Sequence, residues 1–352
     1  MIFYVTRAGH SYTMWRFLRG YGRRKLSFVQ PIYYEKLFSS HRIPVGHYVF
    51  TDFDRMSQYE IQYAAEIARA LKAHDPRIRI LNDPASVHER YAMLRELRRA
   101  GINDFDVTRL EGGDRPTTFP VFIRCEDDNK KPDTELLHSA EEVEAAIEDM
   151  RGKGVPLKRR IAVGYAAEPS ADGDFRKYGM IMIGQHAIPQ HVLRSPDWYV
   201  KRHRSRNDAE FHKERLRFFN EVPHRETLLE VMRLARMDYG RIDYGIVGGR
   251  VQVYEINSNP KMGGWQIPEN PDARQRRDGL QKAVADALKE IEAAPTSGGT
   301  IRVDHPKVRF HTLRRAPLNE WLEFNTHRFM ANFTPTKPRK ERKEAAEEEG
   351  RG

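Results

Sequence analysis

The chain holds a single cysteine, Cys125, in 352 residues. One thiol excludes an internal disulfide and suits a reducing compartment, so a cytoplasmic location is expected. Cysteine pairs and His-x-x-x-His spacing are missing too, which argues against a structural zinc site. No stretch of about 18 apolar residues occurs, so no membrane span is expected. The opening MIFYVTRAGHSYTMW has no basic run leading into an apolar block, and no secretory signal is expected. The sequence also lacks internal repeats and the modules that read DNA or RNA sequence. What it does have is an apolar share of 39% and a charged share of 31%. That is the composition of a globular protein long enough for two or three cores.

Lysine and arginine total 60 against 50 aspartate and glutamate, a net charge of +10. Such a balance favours anionic partners such as nucleotides, acidic peptides or nucleic acid. The cations are scattered through Arg23-Arg24-Lys25, Arg98-Arg99, residues 202–206, residues 274–277 and the tail. A scattered charge makes nucleic acid the less favoured partner.

Taken in order, Ile2 to Val5 reads as a strand, followed by a helical stretch through Met14, Phe17 and Leu18. His47 to Thr51 is a second strand. Ser57 and Glu60 then form a capping-box pattern, and the helix behind it carries Ile61, Ala64, Ala65, Ala68 and Leu71 at helical spacing. Ile78 to Leu81 is a third strand, closed by Asn82-Asp83-Pro84. Alternating strands and helices predict a small parallel α/β unit over residues 1–85. Ser86 is expected to cap the next helix, with Arg90 in its second turn. Phe119 to Arg124 reads as a strand ending in a cation, Ser139 to Met150 as a helix, and Arg160 to Tyr165 as a strand. A hairpin follows around Gly184, with the aromatic segment Trp198-Tyr199 beyond it. Helices are expected over residues 226–236 and 274–291. Residues 293–300 look like a boundary, with an extension over 293–334 that carries scattered aromatics. Residues 335–352 are charged, nearly free of large apolar side chains, and expected to be disordered.

The most informative stretch is MDYGRIDYGIVGGRVQVYEINSNPKM, Met237 to Met262. Arg241 to Val247 and Val251 to Asn257 read as strands. Gly248-Gly249 between them suits a two-residue turn that needs positive φ. Period two puts Val251, Val253, Glu255 and Asn257 on one face. Pairing across the turn brings Asp243 near Glu255 and Asn257. Two carboxylates and an amide oxygen form a hard donor set, and Mg²⁺ takes one or two carboxylates together with substrate phosphates.

This Asp, Gly-Gly turn, Glu-x-Asn and Asn259-Pro260 segment resembles the last catalytic motif of the ATP-grasp superfamily. The resemblance covers roughly residues 80–290. It implies an α/β ATP-grasp fold: a small Rossmann-like N-terminal domain (1–85), then two α+β subdomains (86–165 and 166–292) that clasp the nucleotide. It implies ATP and Mg²⁺, with Asp243, Glu255 and Asn257 holding the metal. Arg90 and Arg124 stand where the family has phosphate-binding lysines. Tyr165 lies on the strand leading to the adenine-binding linker, and Glu168 stands where an acidic residue often holds the ribose. Arg176, Arg194 and Lys201 would gather at the transferred phosphate and carry the catalytic charge. The loop Glu126 to Pro132 departs from the family pattern, because it has no glycine where a glycine-rich flap is usual.

The implied function is ATP-dependent joining of a carboxylate to an amine or thiol through an acyl-phosphate, on small-molecule or peptide substrates. Three alternatives stand beside it: a nucleotide-binding protein without ligase activity, an ATP-grasp-type kinase, and a basic nucleic-acid adaptor. Nothing in the sequence excludes an oligomer.

Overall fold

The computed structural model describes residues 1–22, 25–128, 130–201, 208–262, 271–294 and 296–305. Over these residues the chain is a mixed α/β protein with four sheets. Arg23, Arg24, the basic run 202–206, the Gly263-Gly264-Trp265 loop, most of the 293–334 extension and the tail lie outside the described residues.

The first sheet holds β1 (Ile2–Thr6), β2 (Val29–Tyr33), β4 (His47–Phe50) and β5 (Ile80–Leu81), in the order β2-β1-β4-β5. All three pairings are parallel. β1 and β4 are buried along their whole length, as parallel strands covered on both faces must be. The helices α1 (Tyr12–Phe17), α2 (Tyr34–Phe38) and α3 (Gln58–His74) belong to this unit. The capping box forms at α3 as the sequence predicts: the Ser57 side chain accepts from Glu60 N–H, and Glu60 reaches back to Ser57 N–H. β2 escapes a reading by pattern because Pro31 interrupts it. An edge strand tolerates that proline, and Pro31 sits opposite Tyr4.

A short strand β3 (Arg42–Pro44) pairs antiparallel with β13 (Thr300–Arg302). Ile301 and Val303 thereby join the core formed with α2 and α3. The start of the C-terminal extension thus packs on the first unit.

The third sheet is antiparallel, in the order β6 (Val107–Arg109), β8 (Arg160–Gly164), β7 (Val121–Cys125). Helix α5 (Ala140–Gly152) packs on it through Val143, Ile147 and Met150. Helix α4 (Arg90–Arg99) precedes this sheet. It starts later than the sequence predicts. Ser86 N–H and Val87 N–H both donate to Asp83 O, so residues 83–87 are a turn. Glu89 takes the N-cap position, and Arg90 is the first helical residue instead of lying in the second turn.

The fourth sheet is antiparallel, in the order β10 (His186–Ser195), β9 (Phe175–Ile183), β11 (Tyr239–Val247), β12 (Arg250–Asn257). It is covered on both faces. Met180 and Met182 of β9 enter one core with α4, α6 (Ala209–Glu221) and α7 (Arg225–Ala235). Ile181 and Ile183 enter another with the first sheet and α8 (Pro271–Glu292).

The hairpin β11–β12 turns at Gly248 and Gly249, both at positive φ (54° and 76°). One expectation is corrected. Asp243 pairs with Glu255, but Tyr244 pairs with Val253, so a β-bulge takes up Tyr254. A bulge shifts the alternation by one residue. Val251 and Val253 therefore face the core, while Glu255 shares the other face with its cross-strand partner Asp243.

Candidate functional site

A cleft of about 780 Å³ lies between the third and fourth sheets. One part is apolar and aromatic, lined by Phe122, Tyr165, Trp198 and Tyr254 among others. Trp198 packs against Phe122 and Tyr165 with ring centroids 5.1 and 5.8 Å apart. The opposite part is charged and contains Arg90, Arg124, Lys177, Asp243 and Glu255.

Asp243 is 1% exposed. Arg241, two residues earlier on the same strand face, donates to it at 2.5 and 3.0 Å, and Lys177 donates at 3.1 Å. Burial alone would raise the carboxyl pKa. The attraction of Arg241, Lys177 and His191 outweighs it and holds Asp243 well below the usual carboxylate range. Glu255 accepts from Arg90 at 2.7 Å. Burial and the neighbouring Asp243 raise its pKa, and Arg90 and Arg124 win, so it too is held low. Both groups are anions at neutral pH. Asn257 Oδ1 accepts from Asn259 N–H at 3.0 Å.

Arg124 differs from its neighbours. It is 8% exposed, and among the described residues it donates only to the carbonyls of Cys125 (3.3 Å) and Asp128 (2.8 Å). Among the described residues it has no ion pair. Burial, and then repulsion from Arg90, lower its pKa. Arg90 also donates to carbonyls of the following loop, at 2.8 Å for Glu126 and 2.9 Å for Asp128. The glycine-free loop is thus fastened from beneath by two arginines. Arg109 adds a pair to Glu126 at 2.8 Å, and Arg159 pairs with Asp127.

The structure brings Asp243, Glu255, Arg90, Arg124, Tyr165 and Arg176 to one cleft. Arg176 is nevertheless committed to Asp172 (2.5 Å) and Glu214 (2.9 Å). Arg194 lies opposite Arg176 on β10 and pairs with Asp172 (3.2 Å), Asp174 (2.6 Å) and Asp208 (2.5 Å). Lys201 is exposed and does not line the cleft. Glu168 accepts from Gly248 N–H at 2.8 Å, clasping the hairpin turn instead of the cleft. Asn257 lines a neighbouring hollow with Asp54, Glu89 and Ser258.

The pattern passed over two cations, Lys177 and Arg241. Their signal was present: Arg241 stands two residues before Asp243 on one strand, which fixes both on one face. It also passed over a polar knot beneath the hairpin. Asn259 donates to Asp52 (2.9 Å) and Thr6 (3.0 Å) and accepts from Tyr4 (2.8 Å) and Thr13 (2.6 Å). Asp52, in the left-handed region at φ 60°, also contacts His10. Asn82 works similarly. It is fully buried and bonds the backbone of Phe50, Asp238 and Tyr239. Asn82-Asp83-Pro84 is a structural joint between the first and fourth sheets.

Among the described residues no three His, Cys, Asp or Glu side chains gather as a metal centre. The donor set of Asp243, Glu255 and the amide of Asn257 has the hard-oxygen chemistry of Mg²⁺. Both carboxylates are ionised, and they stand as cross-strand partners.

No protein-family profile matches the chain, and no curated protein sequence matches it. Among solved structures, the chain is similar to the D-alanine–D-alanine ligase of Bacillus anthracis complexed with ATP. The two share 13% identity at a TM-score of 0.45, over 82% of this chain and 98% of that one. It is also similar to the RimK domain protein ATP-grasp of Sphaerobacter thermophilus (10% identity, TM-score 0.44, 82% of this chain and 100% of that one). The L-amino acid ligase of Bacillus licheniformis matches with 10% identity and a TM-score of 0.42, over 82% of this chain and 74% of that one. No helix of the described residues is long and apolar enough to cross a membrane.

Proposed function

We propose that the chain is an ATP-grasp protein that uses ATP to join a carboxylate to an amine or thiol. The observation that carries this reading is the cleft itself: an aromatic slot whose far end holds a buried Arg124, without an ion pair among the described residues, beside ionised Asp243 and Glu255. A nucleobase fits the slot, and a polyphosphate fits the charged end. Arg90, Arg124 and Lys177 outnumber the two carboxylates there, and this positive surplus suits a magnesium–triphosphate complex.

Asp243, Glu255 and Asn257 would hold Mg²⁺, which supplies charge neutralisation and orientation of phosphate oxygens when bound. Arg90 and Lys177 would then turn from their carboxylate partners toward phosphate. In the reaction, a substrate carboxylate oxygen bonds to the terminal phosphorus as the bond to ADP breaks. The amine nitrogen then bonds to the acyl carbon, phosphate leaves with the acyl–oxygen electron pair, and the nitrogen loses a proton. Positioning and charge suffice for both steps, so no protein nucleophile is needed.

The test is ADP release by the full chain given Mg²⁺, ATP and panels of carboxylic acids and amines. The reading expects release that requires an acid and yields a condensed product with an amine. ATP binding with no release under any pair would favour the second reading, a nucleotide-binding protein without chemistry. The arginine-fastened, glycine-free loop is the observation behind that alternative.

A further inference from the structure

A second cavity of about 1100 Å³ lies beside the first, on the far side of the Arg241–Asp243 pair. Asp243 lines the first cavity and Arg241 lines the second. Among the described residues, six cations line this second space, and no aspartate or glutamate does. Arg241 and Arg277 have carboxylate partners, Asp243 and Asp278. Arg16, Arg215, Lys261 and Arg276 have no ion pair among the described residues.

Such a cluster differs from a solvated basic surface. Arg215 Nε and Arg276 Nη1 are buried without a hydrogen-bond partner, and so is Nε2 of His191 in the same wall. Leaving a buried donor of a charged group unmade is costly. The Arg215 pKa is lowered, first by burial and then by repulsion from Arg276. Aromatic rings hold these cations in place. Arg215 lies over Phe211 at 5.7 Å, Arg276 over Phe219 at 6.0 Å, and Tyr12 is flanked by Arg16 at 5.2 Å and Lys261 at 5.7 Å. By contrast, buried Arg194 and half-buried Arg176 are matched by carboxylates. Here no matching anions are present among the described residues.

We infer that this cavity binds a small molecule bearing at least two anionic groups, carboxylate or phosphate, one held by Arg215 and Arg276 and another presented toward Arg241. The inference rests on the ligase reading in one respect: it makes that molecule the acid substrate, with its reacting carboxylate next to the nucleotide end of the first cavity. The polyanion site itself does not depend on the chemistry.

The experiment is titration calorimetry of the full chain at constant ionic strength with citrate, succinate, pyrophosphate and acetate, alone and with Mg²⁺ and ATP. Citrate, succinate or pyrophosphate should bind saturably, and acetate at least tenfold more weakly. The better of the carboxylate and phosphate arms identifies the anionic group. Arg215→Gln with Arg276→Gln should weaken that binding at least tenfold, leave Mg²⁺–ATP binding unchanged, and melt no lower than wild type without ligand. Arg16→Gln alone should weaken it less, and Arg124→Met should leave citrate and succinate binding unchanged. Polyanion binding that survives the double substitution, or no polyanion binding by a chain that still binds Mg²⁺–ATP, overturns the inference. Polyanion binding without ATP binding leaves the site standing and removes the ligase reading.

Discussion

Arg124 and His47 show how single residues carry different parts of the account. A guanidinium buried without a carboxylate is costly to the apo fold, and an incoming anion relieves that cost. Arg124→Met should therefore weaken Mg²⁺–ATP binding by roughly ten- to a hundredfold, the worth of a charge-assisted hydrogen bond or two. The melting temperature without nucleotide should not fall, because Asp128 O keeps its bond from Arg90. Unchanged affinity in calorimetry would count against a phosphate at Arg124. His47 tests the first sheet. It is fully buried, Nδ1 accepts from Arg79 N–H at 2.9 Å, and Nε2 donates to Ala294 O at 2.8 Å. A second ring proton would point at an N–H. Burial accordingly holds its pKa below the ordinary 6.5. The unfolded chain takes up this proton first, so stability must fall as pH drops below about 6.5. His47→Gln keeps a donor and an acceptor but cannot titrate. Urea unfolding between pH 8 and 5 should show a shallower loss in the variant than in wild type.

At the scale of elements, the hairpin shows what pattern reveals and what it conceals. The Gly-Gly turn, both strands and the pairing of Asp243 with Glu255 follow from alternation and turn chemistry, and the capping box at Ser57 is equally local. The bulge at Tyr254 is not local. It follows from fitting that ring against Gly245, whose missing Cβ would lie 2.2 Å from Tyr254 Oη. Tyr254 then donates to Ala166 O at 3.0 Å and lines the aromatic slot. Gly245→Ala must displace the ring from both, and should lower stability by about 1–3 kcal/mol, as overpacking does. Thermal unfolding and nucleotide affinity should fall together; a wild-type melting curve would mean the ring moves freely. The start of α4 was concealed for a similar reason. Ser86 looks like a cap, but His88 N–H is held by Ala235 O from another helix, and sequence spacing cannot register such a contact.

At the scale of the molecule, the parallel first unit and the antiparallel hairpin sheet were legible, because each has its own period. The way they join was not. Asn82 and Asn259 tie the first sheet to the fourth through bonds spanning more than 150 residues; the turns Asn82-Asp83-Pro84 and Asn259-Pro260 stand out in the sequence, but the distant partners these asparagines reach do not. The candidate site was legible in its anions and in Arg90 and Arg124. Arg176 and Arg194 were expected to be free for phosphate, and the carboxylates that engage them, Glu214 and Asp208, come from a helix and its cap that no motif announced. The account's central claim is that the cleft between the third and fourth sheets takes a metal-bound nucleotide on Asp243 and Glu255. The direct measurement is calorimetric titration of ATP, with and without Mg²⁺, into wild type and the Asp243→Asn, Glu255→Gln double variant. The account predicts saturable, Mg²⁺-dependent binding by wild type and its loss in a variant that remains folded. No binding by wild type, or equal binding by both proteins, would contradict it.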